Sequence, residues 1–126
     1  MSVRIRTITF DCSDPYKLSL FWTELTGLRE DPDDPNLPEH TEERLVNPAG
    51  PDLLFIKVPE GKTVKNRVHI DLSPVPPATR ETELDRVLAL GATLVRDHRR
   101  DDGSGWIVFA DPEGNEFCVE RELREP

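Results

Sequence analysis

Two landmarks recur in this sequence at one fixed distance. Asn47-Pro48-Ala49-Gly50 precedes the apolar run Leu53 to Val58, and Asp111-Pro112-Glu113-Gly114 precedes a similar run, Glu116 to Glu120, 64 residues later. Gly27 and Gly91, each closing a helix-like segment, are separated by the same 64 residues. Two independent landmarks at one offset read as two copies of one supersecondary unit, and that reading constrains the fold more than any single motif. At 126 residues the chain is expected to form a single domain, residues 1–126, made of module one (1–58), a link (59–66, Pro59 to Asn66) and module two (67–126).

Each copy has the same grammar. In the first, Val3 to Cys12 is rich in Ile, Thr and Val and reads as a strand. Ser13-Asp14-Pro15 supplies a cap and a first-turn proline. Leu18, Phe21, Trp22 and Leu25 follow at helical spacing until Gly27, and strands are expected at Glu43 to Val46 and Leu53 to Val58. Phe21 and Trp22 are adjacent, so only one is expected to face the sheet squarely. In the second copy Arg67 to Leu72 reads as a strand. Thr79 begins a helix carrying Leu84, Val87 and Leu88, Gly91 ends it, and strands follow at Ala92 to Arg96, Trp106 to Ala110 and Glu116 to Arg121.

Alternation separates the faces. Val68, Ile70 and Leu72 share one side of their strand, and Arg67, His69 and Asp71 the other; Phe117 and Val119 oppose Glu116, Cys118 and Glu120. The apolar sides are expected under the helices, which leaves the polar sides to solvent or to a concave site.

Composition removes whole classes of function. With 16 Lys and Arg against 25 Asp and Glu, the formal charge is -9, and no basic face is available for nucleic acid. No apolar run reaches the ~20 residues of a membrane span, and the N-terminus lacks a secretory core, so no membrane partner is expected. Two cysteines without a C-x-x-C motif fit a reduced, cytoplasmic protein.

The paired strand-helix-strands modules, His69-Ile70-Asp71-Leu72, the Leu90-Gly91-Ala92-Thr93 helix end and Asp111-Pro112-Glu113-Gly114-Asn115-Glu116-Phe117 resemble the vicinal oxygen chelate superfamily of glyoxalase I, bleomycin-resistance proteins and extradiol dioxygenases. Within it, the chain is most similar to the actinobacterial "glyoxalase-like domain" group. The resemblance covers essentially the whole chain. It implies an α+β fold in which two βαβββ modules form an open, cup-shaped mixed sheet with helices on the outer face. It also implies a homodimer, and metal ligands of the His, Gln or Glu type on the first and last strands inside the cup.

Carried onto this sequence, the first-strand positions fall on Thr7 and His69, and the last-strand positions on Cys118 and, by the repeat, Leu54. Leu54 offers no donor atom and a threonine hydroxyl is a poor ligand. His69 and Cys118 alone fall short of the three protein ligands an open catalytic site requires. The expectation is therefore a cup that sequesters a small organic ligand, with no catalytic residue, no metal ligand and no resident cofactor. Its wall is assigned to Thr7, Thr9, Leu54, His69, Asp71, Trp106, Glu116 and Cys118.

Asp71 and Glu116 would favour a neutral or cationic molecule, and Trp106 would stand at the rim. Each residue also has an ordinary reading: His69 as a hydrogen-bonding partner of Asp71, Cys118 as a small buried hydrophobe, the acidic stretch Arg29 to Glu43 as a solvated loop. The alternative is a metal-dependent lyase, isomerase or dioxygenase in which His69 and carboxylates such as Asp71, Glu116 or Glu120 hold Zn, Ni, Fe or Mn.

Overall fold

The computed structural model describes residues 2–121. The chain divides into two compact units between Lys62 and Thr63. Each contains a mixed sheet and one helix, so the α+β class expected from the sequence holds.

The first unit runs β1 (Thr7–Cys12), α1 (Pro15–Thr26), β2 (Glu42–Leu45), β3 (Asp52–Lys57). Its sheet has the order β1-β3-β2, with β1 parallel and β2 antiparallel to β3. Helix α1 starts where the Asp14 carboxylate accepts from Lys17 N, with Pro15 in the first turn, and ends at Gly27 in the left-handed conformation (φ 79°). It packs on β2 and β3 through Leu18, Phe21, Trp22 and Leu25. Trp22 meets Phe10 edge-on at 5.1 Å, and Phe10 meets Phe55 at 5.2 Å. Phe21 and Trp22 are both buried, and the Phe21 ring turns edge-on to Trp22 at 6.0 Å.

The second unit runs β4 (Ile70–Leu72), α2 (Arg80–Ala89), β5 (Thr93–Asp97), β6 (Trp106–Ala110), β7 (Glu116–Glu120), in the order β4-β7-β6-β5. Strand β4 is parallel to β7, and β6 is antiparallel to both β7 and β5. Ile107, Phe109, Phe117 and Val119 form the core with Val87 of α2. The Asp-Pro-x-Gly turn before β7 is held by the buried Asp111 carboxylate, which accepts from the backbone N–H of Glu113 and Asn115, both at 2.9 Å.

Three departures from these expectations are seen, two of them with prolines as the physical cause. The strand expected over Arg67 to Leu72 shortens to Ile70–Leu72, and Val68 is 77% exposed rather than under the helix. Asn66 and Lys65 tie that approach to Glu116 through side chains, and Pro74, Pro76 and Pro77 stop the strand beyond Leu72 because proline has no N–H for the ladder. The strand expected from Val3 begins at Thr7, with Val3 93% exposed. In the first unit, the counterpart of β5 shrinks to one bridge, Arg29 to Val46, which lies 64 residues before the Thr93–Ala110 pair of the second. Pro32, Pro35 and Pro38 follow that bridge and cannot extend it.

Candidate functional site

The sheet of the second unit has one face against its core and one polar face, and pairing register fixes who stands on the latter. Asp71 of β4 lies opposite Cys118 of β7, Cys118 opposite Val108 of β6, and Val108 opposite Arg96 of β5. These four residues form a row across all four strands. Glu116 stands two residues before Cys118 on the same side, and Trp106 two residues before Val108.

This face opens into a cavity of about 300 Å³ lined by Lys65, His69, Val95, Arg96, His98, Trp106, Val108, Glu116 and Cys118. Four residues expected in a site from sequence therefore line one cavity: His69, Trp106, Glu116 and Cys118. Asp71 adjoins them, its Oδ1 lying 3.3 Å from His69 Nε2. Thr7, Thr9 and Leu54 belong to the first unit, where Thr9 lies opposite Leu54 and Thr7 opposite Asp52. Lys65, Val95, Arg96, His98 and Val108 escaped the sequence reading. Lys65 fell in the link and His98 in a polar stretch, whereas Val108 could have been found by alternation with the buried Ile107 and Phe109.

Charges in the wall are mostly satisfied in place. Lys65 Nζ donates to both Glu116 carboxylate oxygens at 3.1 Å. The His98 ring stacks on Trp106 at 4.7 Å, and the Arg100 guanidinium lies 5.6 Å from the centre of the same indole. Cys118 is 2% exposed. Burial first, then the charge of Asp71, pushes its thiol up to about 12, with Glu120 and Glu116 adding to the rise. At neutral pH it is a protonated thiol, which does not act as a nucleophile.

The turn that carries Trp106 into place is built by a side chain the sequence did not single out. Arg80, at the start of α2, is 3% exposed and donates to the carbonyls of Gly103 at 3.0 Å and Gly105 at 2.7 Å. Glu81 takes its remaining N–H groups at 2.7 and 2.9 Å.

The pattern of the glyoxalase-like domain matches residues 7–120, nearly the whole chain. The chain belongs to the glyoxalase-like domain family.

Solved structures with this fold bracket a wide range of chemistry. A glyoxalase/bleomycin resistance/dioxygenase family enzyme from Burkholderia phytofirmans PsJN is 18% identical with a TM-score of 0.68, covering 93% of this chain and 97% of its own. A mutant of the fosfomycin resistance protein FosX from Listeria monocytogenes, complexed with Mn(II) and a dihydroxypropylphosphonic acid, is 21% identical with a TM-score of 0.69, covering 98% and 94%. The oxidase ChaP-H2 is 19% identical with a TM-score of 0.62, covering 97% and 95%. No curated protein matches the sequence.

The Mn(II) complex of one such neighbour makes a metal the natural test of this site. His69, Asp71 and Cys118 each offer a donor atom, and the three atoms lie within 4.8 Å of one another. That reach suits one ion, and an imidazole–carboxylate–thiolate set suits Zn better than the harder Mn. The outer shell is missing: among the described residues nothing accepts from His69 Nδ1, and His69 and Asp71 have side chains about half exposed (49% and 50%). Metal-binding histidines almost always have such a partner to fix the ring. The donors therefore fit in count and reach but are not held.

Proposed function

We propose that this glyoxalase-like protein sequesters a small, partly apolar organic molecule in the cavity of its second unit, without a metal. The observation that carries this reading is the mixed lining of the cavity. Val95, Val108 and Trp106 supply apolar surface, while the Lys65–Glu116 pair supplies fixed polar groups and His69 a half-exposed one. A few placed polar groups in an apolar hollow are what small-molecule recognition requires, and sequestration needs no reacting residue. The neutral Cys118 thiol, hydrogen-bonded to Asp71, closes the floor, and His69 stands at the edge of β4. The bleomycin-resistance resemblance implies the same mode of action, and it also implies a homodimer. The exposed edge strand β5, with Leu94 and Val95 uncovered, supports the latter. No helix of the described residues is long and apolar enough to cross a membrane.

Amide spectra of labelled protein screened against a small-molecule collection test the reading. Ligands should perturb Val95, Val108 and Trp106, and Val108→Trp, which fills the hollow from its floor, should abolish those responses while leaving the fold's spectrum intact. Ligands that respond only at first-unit residues, or undiminished responses in Val108→Trp, would overturn it.

A second reading rests on the three converging donors. There His69, Asp71 and Cys118 would hold a thiophilic ion that polarises a ligand oxygen as a Lewis acid. In that case Asp71 would leave its present contact with His69, and the Cys118 thiol would give up its proton to bulk water through the open side of the cavity.

A further inference from the structure

We infer that the cavity of the second unit is built for a monoanion, specifically a small organic carboxylate, with Arg96 as its anchor; this rests on the ligand-binding reading above. The deciding feature is a bulge in β5. Thr93 and Leu94 pair with Ala110 and Phe109, but the next pair is Arg96 with Val108, so Val95 is an extra residue without an opposite number. In a regular strand Val95 would face Val108, and Arg96 would face Ile107 on the buried side of the sheet. The extra residue instead places Val95 and Arg96 together on the cavity wall. A bulge disrupts a ladder, so one that re-aims a cation into a hollow marks the cation as the reason for it.

The electrostatics of the wall point the same way. Lys65 is neutralised by Glu116, and Asp71, 3.3 Å from His69 Nε2, adjoins the cavity without lining it. Asp97, next to Arg96, is held by Arg99 at 2.7 Å. Glu120 stands on the same strand face as Cys118 but lines no part of the cavity. Arg96 has no hydrogen-bonding or ion-pair partner among the described residues. Among the described residues that line the cavity, Arg96 is thus the cation left without an ion-pair partner, although the chain as a whole carries -9.

A single guanidinium matches a single carboxylate, whose two oxygens its planar fork can hold together, better than it matches a phosphate dianion. Val95, Val108 and the Trp106 edge then take an apolar body of modest size. The neutral or cationic preference expected from Asp71 and Glu116 gives way to an anion at this wall.

Benzoate, benzamide and benzamidine share a ring and differ in charge, so they form a direct probe series. Their affinities are measured by amide-spectrum titration on wild type, Arg96→Gln and Arg96→Lys, with binding located by the responses of Val95, Val108 and Trp106. Benzoate should bind wild type about tenfold tighter than benzamide, with benzamidine weakest. Arg96→Gln should erase that preference while leaving benzamide binding unchanged, and Arg96→Lys should retain only part of it. Binding of all three with no preference for benzoate would overturn the anion assignment and leave the ligand-binding reading standing. Failure of all three to perturb any wall residue would count against both.

Discussion

Cys118 has Asp71 opposite it on one side and Val108 on the other, and its environment makes a definite chemical prediction. A thiol pushed up to about 12 by burial and then by Asp71 is almost wholly protonated at pH 8. Iodoacetamide should therefore label native protein at Cys118 at least about a hundredfold more slowly than the unfolded chain, as read by mass spectrometry of the Cys118 peptide. Because the native value lies above the ordinary 9.0, the thiol's contribution to stability is intact below pH 9.0 and is lost as pH rises toward 12. Glu43 carries the same lesson in the first unit, at lower pH. It is 2% exposed on β2, takes the His40 ring nitrogen at 2.7 Å on one oxygen, and leaves the other, Oε2, buried without a hydrogen bond. Burial outweighs His40 and raises its pKa above 4.5. A carboxyl with a raised native pKa contributes most below its unfolded value, so stability at this site falls as pH rises through the raised one. Thermal unfolding at pH 4.5 and pH 7.5 should show that loss in wild type and a smaller one in Glu43→Gln; equal pH dependence in both would contradict the assignment.

At the scale of elements, two glycines with positive φ separate conformational need from crowding. At Gly27 (φ 79°) an added Cβ meets nothing within 4 Å, whereas at Gly105 (φ 94°) it would lie 2.1 Å from the His98 carbonyl oxygen. Gly27→Ala should cost about 1 kcal/mol in urea unfolding, and Gly105→Ala at least about 3 kcal/mol. The Arg80 clamp on the same turn gives a companion test. Arg80→Met strands the Gly103 and Gly105 carbonyls and should cost about 2–3 kcal/mol, with faster amide exchange around Ser104 and Gly105. The sequence carried the helices well, because Asp14-Pro15, Thr79, Gly27 and the periodic Leu18, Phe21, Trp22 and Leu25 are local signals. Alternation put His69, Glu116 and Cys118 on polar strand faces, and these line one cavity together with Trp106, which was expected at the rim. Arg96 was invisible for a definite reason: a bulge is settled by how β5 pairs with β6, and Thr93-Leu94-Val95-Arg96 reads as an ordinary alternating strand. Arg80 was missed likewise, since a buried arginine is recognised only by the carbonyls it serves.

At the scale of the molecule, the repeat explains both the symmetry and where it fails. The register landmarks of the two units lie 64 residues apart, yet the first unit keeps only a bridge where the second has β5, and it has Leu54 where the second has Cys118. The two units have diverged in chemistry while retaining one grammar, and the donor-bearing residues concentrate in the second: His69, Asp71 and Cys118 have no ligating counterparts at Leu54, and only a hydroxyl at Thr7 and at Thr9. That asymmetry underlies the proposal of ligand binding without a metal, and metal content tests it most directly. Protein purified without chelator, as wild type and His69→Ala, is assayed for Zn, Ni, Fe and Mn before and after exposure to each ion and gel filtration. The account predicts well under one metal per chain in both proteins, with no retention on exposure. One metal per wild-type chain, lost in His69→Ala, would contradict it and make the three converging donors a metal centre.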